Sequence, residues 1–127
     1  MKIVPYRVLI IDDNPEFIRS LKSLILDVAG SQVGEVSSVH NGNDGLEMMR
    51  DQDFDYVFMD INMPGIDGIE ATRFARFEYE KPHMKIIGVS FNAGFRYKSQ
   101  MMQAGADNFL VKDEIDAEKL MEVFNIK

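Results

Sequence analysis

The chain has 127 residues, enough for one domain with a real core, and its 46% hydrophobic and 28% charged residues are ordinary for a globular protein. A formal net charge of −7 argues against nucleic-acid binding by bulk electrostatics, and zero Cys excludes disulfides, thiolate chemistry and Cys-based zinc sites. No apolar run is long enough to cross a bilayer, and Met1-Lys2-Ile3-Val4-Pro5 does not resemble a secretion signal, so a cytoplasmic protein without membrane contact is expected.

Tyr6 to Ile11 is β-branched and aliphatic, and Asp12-Asp13-Asn14-Pro15 breaks it. That pattern predicts a buried strand feeding a helix, with Asn14 as N-cap and Pro15 in the first turn. The helix is predicted over Pro15 to Ala29, with Phe17, Leu21, Leu24, Ile25 and Val28 at helical spacing and Gly30 ending it. Val33 to Val39 reads as a second strand diluted by Gly34, Ser37 and Ser38. Asn41-Gly42-Asn43 reads as a turn, and Asp44 to Arg50 as a short helix packing through Leu46, Met49 and Met48.

The run Phe54-Asp55-Tyr56-Val57-Phe58-Met59-Asp60 is short and apolar on both alternating faces, as in a strand buried within a parallel sheet. Pro64-Gly65 then turns the chain, and Asp67 can cap a helix containing Ile69, Ala71, Thr72, Phe74, Ala75 and Phe77 that stops before Pro82. Lys85 to Ser90 is a further buried strand. A helix follows from about Gly94 to Gln103, ended by Gly105. Phe109-Leu110-Val111 is a short last strand leading to Lys112, and Asp116 can cap a final helix carrying Leu120, Met121, Val123 and Phe124.

Strands and helices therefore alternate five times, which implies a single α/β domain over residues 1–127: a five-stranded parallel sheet with helices on both faces. The strand ends carry the chemistry. The first ends at Asp12 and Asp13, the third at Asp60, the fourth at Ser90, the fifth at Lys112. In a parallel sheet those ends share one edge, the edge where open α/β sheets bind ligands. A lone Asp at a strand end is usually a cap, a lone Lys a solvated side chain, a lone Ser a turn hydroxyl. Their agreement across separate strands is the signal.

Clustered carboxylates repel, and a divalent cation relieves them; hard oxygen ligands favour Mg²⁺. A lysine and a hydroxyl beside such a cation make a phosphoryl-binding site, and a central carboxylate can act as nucleophile to give an aspartyl phosphate. No Gly-rich phosphate loop follows the first strand, so nucleotide binding is a poor reading. His40 and His83 have no metal-ligand partners at useful spacing and read as surface residues. The nine Met residues read mainly as core filler, with Met101-Met102, Phe95 and Tyr97 also able to form an adaptable contact surface.

These residues resemble the receiver domain of a two-component response regulator. The likeness rests on Asp12-Asp13, on Met59-Asp60-Ile61-Asn62-Met63-Pro64-Gly65-Ile66-Asp67-Gly68-Ile69-Glu70-Ala71-Thr72-Arg73, on Ser90, and on Gly105-Ala106-Asp107-Asn108-Phe109-Leu110-Val111-Lys112. It implies a flavodoxin-like (βα)5 fold and a phosphorylation-activated switch rather than an enzyme acting on a separate metabolite. By resemblance, Asp60 accepts the phosphoryl group from a sensor histidine kinase or phosphotransfer protein. Asp12, Asp13, Asp60 and the backbone carbonyl of Asn62 hold Mg²⁺, and Lys112 pairs with the phosphoryl group. Ser90 and Phe109 form the switch, remodelling the face of the fourth helix, fifth strand and fifth helix for an output domain or partner. Homodimer formation on phosphorylation and control of transcription belong to the same expectation.

Three departures stand out. Asp113 follows Lys112 where many family members have a cis proline, so a trans bond is expected. This Lys-Asp pair and the Asp-Gly-Ile-Glu-Ala-Thr-Arg segment resemble the branch that often carries a helix-turn-helix output. Phe91 stands where a small residue is common, and its ring is expected to narrow access to Asp60. Asn62 and Asn92 occupy the variable positions that tune phosphoryl lifetime. Two rivals follow: a receiver-like interaction module that no longer uses phosphate, and a Mg²⁺-dependent phosphohydrolase, for which 127 residues leave little room for a cap. The chain ends at Lys127 just after the last predicted helix, and both a stand-alone regulator and a piece of a longer protein fit that ending.

Overall fold

A computed structural model of the protein describes residues 5–92 and 94–126. The reading of Met1 to Val4 and the chain end at Lys127 lie outside them. The chain alternates β1 (Tyr6–Ile11), α1 (Pro15–Ala29), β2 (Val33–Val39), α2 (Gly42–Asp51), β3 (Tyr56–Asp60), α3 (Gly68–Glu78), β4 (Lys85–Ser90), α4 (Phe95–Ala104), β5 (Asn108–Val111) and α5 (Ala117–Val123), with a 3-10 turn over Lys112–Glu114. All strand pairings are parallel and the sheet order is β2-β1-β3-β4-β5. That order is the flavodoxin-like one, with the chain reversing direction across the sheet between β1 and β3.

All the helices but α4, which starts after Gly94 with no side-chain cap, begin where a side chain satisfies their first N–H groups. Asn14 accepts from the N–H groups of Glu16 and Phe17, Asn41 from Asp44, Asp67 from Glu70 and Asp116 from Lys119. Each such cap is worth about 1 kcal/mol. The predicted turn at Asn41-Gly42-Asn43 is instead the cap and first turn of α2. Asn41 supplies the cap, and the missing β-carbon of Gly42 lets that turn press against Ile66. Gly105 ends α4 in the left-handed region at φ 117°, whereas Gly30 keeps right-handed angles after α1.

β3 is buried at every position, as its two-sided apolar pattern requires. One core layer joins Leu9, Ile11, Val57, Met59 and Ile86 to α2, α3 and α4. The opposite layer joins Val8, Ile10, Phe58, Ile87 and Val89 to Ile18, Leu21 and Ile25 of α1 and to Leu120 and Phe124 of α5. The helices therefore clamp the sheet on both faces and leave its carboxyl edge as the open rim. Met101 is fully buried and belongs to the first layer, so it is not part of a contact surface; Met102 and Phe95 on the same helix are exposed. Phe77 is exposed on α3 although it continues that helix's apolar pattern.

Candidate functional site at the carboxyl edge of the sheet

The predicted carboxylates, hydroxyl and lysine lie at or just past strand ends, whereas Phe109 lies within β5. Asp12 follows β1, Asp60 is the last residue of β3, Ser90 the last of β4, and Lys112 follows β5. Registry pairs β1 with β3, β3 with β4 and β4 with β5, so these ends are adjacent. Asp12, Asp60 and Ser90 are buried, and Asp13 is exposed.

Asp12, Asp13 and Asp60 bring one carboxylate oxygen each within 4.8 Å of one another. The Lys112 ammonium enters this cluster from β5, with Nζ 2.6 Å from Asp12 Oδ2 and 3.5 Å from Asp60 Oδ1. Asp12 Oδ2 is fully buried and, apart from this ion pair, has no hydrogen-bond partner of acceptable angle among the described residues. Asp12 Oδ1 accepts the N–H of Asn14 at 2.9 Å. Asp60 Oδ1 accepts the N–H of Asn62 at 3.3 Å.

Burial pushes the Asp60 carboxyl up to about 6, with the negative charge of Asp12 adding to it. Lys112 and the Asn62 N–H pull the other way, and Asp13 adds a smaller push upward. A carboxylate that is costly to ionise beside two others is one that a cation would relieve. The donor set fits a hard divalent ion: three carboxylate oxygens in one cluster, one of them buried with only an ammonium for company.

Two other chain segments shape the site. Gly68 N–H donates to the Ile61 carbonyl at 2.9 Å, and a β-carbon on Gly68 would lie 2.1 Å from the Asp60 carbonyl oxygen. The Asp67-Gly68 pair thus caps α3 and seats it directly on the end of β3. Ser90 Oγ accepts the N–H of Asn92 at 3.0 Å. The Asn92 side chain is engaged with the N–H of Gly94 at 2.7 Å and so holds the loop before α4. Asn62 is exposed just beyond Asp60.

Phe109 is partly buried against the first core layer, next to Gly88 and Met101. The Phe91 ring is 62% exposed, and it stacks over Lys112 Nζ at 5.2 Å rather than packing in the core. Phe17 covers the same ammonium from α1 at 4.4 Å. In the sequence Phe17 stands only as a residue of the apolar face of its helix. Its position in the first turn, close to the strand end at Asp12, is the one signal that it borders the site. Lys112–Asp113 is a trans peptide, as expected; no cis bond occurs among the described residues.

Fold and rim together define a flavodoxin-like domain with an acidic cluster and a lysine gathered at one sheet edge. The family model of the response regulator receiver domain matches residues 8–125, and the chain belongs to that family. Receiver domains are the phosphoacceptor modules of two-component signalling and work with sensor histidine kinases. Among its relatives, the CAI-1 autoinducer sensor kinase/phosphatase CqsS of Vibrio cholerae is 35% identical over 107 residues, covering 84% of this chain and 15% of that protein. The response regulator GacA of Pseudomonas aeruginosa is 33% identical over 106 residues, 84% of this chain and 48% of that protein. Both are longer proteins, of which the chain spans about half or less. A crystal structure of the receiver domain of sensor histidine kinase PA1611 from Pseudomonas aeruginosa, with a magnesium ion coordinated in its active-site cleft, superposes with a TM-score of 0.81. At 24% identity, covering 96% of each chain, it shares the fold. Among the described residues no helix is long and apolar enough to cross a membrane.

Proposed function

We propose that the protein is a phosphorylation-activated switch in which Asp60 accepts a phosphoryl group from a sensor histidine kinase or phosphotransfer protein. The observation that carries the reading is the convergence of Asp12, Asp13, Asp60 and Lys112 on one rim of the sheet. Asp12, Asp13, Asp60 and the backbone carbonyl of Asn62 would hold Mg²⁺, which when bound supplies charge neutralisation for the phosphoryl oxygens.

The chain's own groups do the rest. An ionised Asp60 oxygen forms a bond to phosphorus in line with the departing P–N bond of the donor phosphohistidine. The electron pair of that bond stays on the imidazole nitrogen, which takes a proton. Lys112 opposes the charge of the equatorial oxygens, and burial keeps that attraction strong. The Ser90 hydroxyl turns from the Asn92 N–H towards the new phosphoryl oxygen. Phe109 then moves into the space beside it, changing the face of α4, β5 and α5. That face signals to an output domain or partner controlling transcription, with homodimer formation as one mode of output. The domain does not itself contact nucleic acid; its charge of −7 supports this. It is the substrate of its own phosphorylation, not an enzyme for a separate metabolite, and it acts in the cytoplasm.

Intact mass after incubation with Mg²⁺ and acetyl phosphate tests the reading. One added phosphoryl group is expected on the wild type, none on Asp60→Asn, and none when the metal is chelated. No adduct on the wild type, together with no response to beryllofluoride, would leave the phosphate-independent module as the function.

A further inference from the structure

Lys112 is flanked by more than its carboxylates. Its ammonium lies 4.4 Å from the centre of the Phe17 ring and 5.2 Å from that of Phe91, both within the reach of a cation–π contact. One ring comes from the first turn of α1, the other from the residue after β4. The Lys112 side chain is only 5% exposed, although it leaves the backbone where β5 gives way to a 3-10 turn. Both rings line one groove with Lys112, Leu24 and Ile115.

We propose that Phe17 and Phe91 form an aromatic clamp that keeps the Lys112 ammonium inside the rim, making both of them positioning residues for phosphoryl transfer. The proposal rests on the phosphoacceptor reading of Asp60. A lysine ammonium is a strongly hydrated point charge on a flexible stem, and left alone at a rim it is drawn out to water. Two ring faces replace part of that water shell while leaving the N–H donors free for Asp12 and Asp60. Core packing does not account for Phe91, which is 62% exposed. The ring is therefore a support for the cation and not only a lid over Asp60, and the two roles differ in sign. A lid slows phosphorylation, so shrinking it speeds the reaction. A support holds the charge ready, so removing its π face slows the reaction.

The test uses the whole chain with Mg²⁺ and reads two quantities: the acetyl phosphate reaction rate by intact mass, and beryllofluoride affinity by ¹⁹F NMR. Phe17→Leu and Phe91→Leu are each expected to lower both by about three- to tenfold, and Phe91→Tyr to recover them. In a Lys112→Met background, Phe91→Leu is expected to change neither. Faster phosphorylation in Phe91→Leu, or an undiminished effect without Lys112, overturns the clamp. A third readout needs no phosphoryl chemistry and no Lys112 variant. The Lys112 ε-methylene protons should be shifted upfield by the rings in metal-free wild type and should return to the range of the other lysines in Phe17→Leu/Phe91→Leu. An unshifted signal in the wild type removes the clamp. A shifted signal in a protein that takes no phosphoryl group would keep the contact, but would overturn its role along with the phosphoacceptor reading.

Discussion

A β-carbon on Gly68 would meet the carbonyl oxygen of Asp60 at 2.1 Å. The first turn of α3 is thus seated on the backbone that presents the central carboxylate, and that backbone cannot yield as a flexible side chain can. Gly68→Ala is expected to lift α3 from the strand end, lowering stability by about 1–3 kcal/mol and slowing phosphorylation of Asp60. Asp67→Ala removes the cap of the same helix and is expected to cost about 1 kcal/mol with a smaller effect on the reaction. Urea unfolding alongside acetyl phosphate kinetics separates the two. Equal stability losses and equal rates would mean that α3 merely caps and does not position.

Lys112 answers a negative charge that has little else. Asp12 Oδ2 is fully buried and its close partner is the ammonium at 2.6 Å. Removing one member of a buried pair costs about 3–5 kcal/mol because the other charge is left uncompensated. Lys112→Met is therefore expected to lose stability of that order in the absence of metal. Mg²⁺ should restore much of the loss, because a cation in the acidic cluster takes over the same compensation. The thermal shift produced by Mg²⁺ should be larger in Lys112→Met than in the wild type. A smaller shift would place the metal away from Asp12.

The Asp60 carboxyl has a defined pH signature. In the folded, metal-free protein it is pushed from an ordinary value of 3.8 to about 6, chiefly by burial. Between those values the folded state holds a proton that the unfolded chain has already lost. The Asp60 contribution to stability is thus fully present below about pH 4 and is lost as pH rises towards about 6, by roughly 3 kcal/mol for a difference of about two pH units. Asp60→Asn should abolish this fall and be the more stable protein at pH 7 without metal. Denaturant midpoints from pH 4 to 7 in a chelator measure it, and Mg²⁺ should flatten the wild-type curve. The same slope in Asp60→Asn would assign the titration to another group.

The alternation of elements and the acidic rim were readable because both follow from local rules. Buried parallel strands are apolar on both faces, helix starts favour Asn or Asp, and parallel strand ends share an edge. The buried strands β1, β3 and β4 and the caps at Asn14, Asp67 and Asp116 follow those rules, while the edge strand β2 is polar in part. What sequence left hidden depends on distances across the fold. Met101 fits both core filler and a contact surface until α4 is seen to lay it over Gly88. The expected turn at Gly42 is the capped start of α2, and its close approach to Ile66, far along the chain, shows only in the fold. The Phe17 and Phe91 rings meet at Lys112 only once β1, β4 and β5 are ordered in the sheet.

Gly88 sits where the proposed switch must pass. A β-carbon there would lie 2.6 Å from Met101 Cγ and 3.4 Å from Phe109 Cδ2. Met101 is flexible and its sulfur accepts the Thr72 hydroxyl at 3.7 Å, so it can shift at modest cost. Phe109 has less freedom, because its inward path runs over the methyl that alanine adds. Gly88→Ala is expected to cost about 1–3 kcal/mol in stability. It should leave phosphorylation of Asp60 near the wild-type rate while weakening the change that beryllofluoride produces at Phe109 and on the face of α4, β5 and α5. Aromatic ring signals and amide shifts with and without beryllofluoride report the two effects separately. An undiminished response in Gly88→Ala would mean that Phe109 does not move past Gly88, and the coupling from Ser90 would have to run through another side chain.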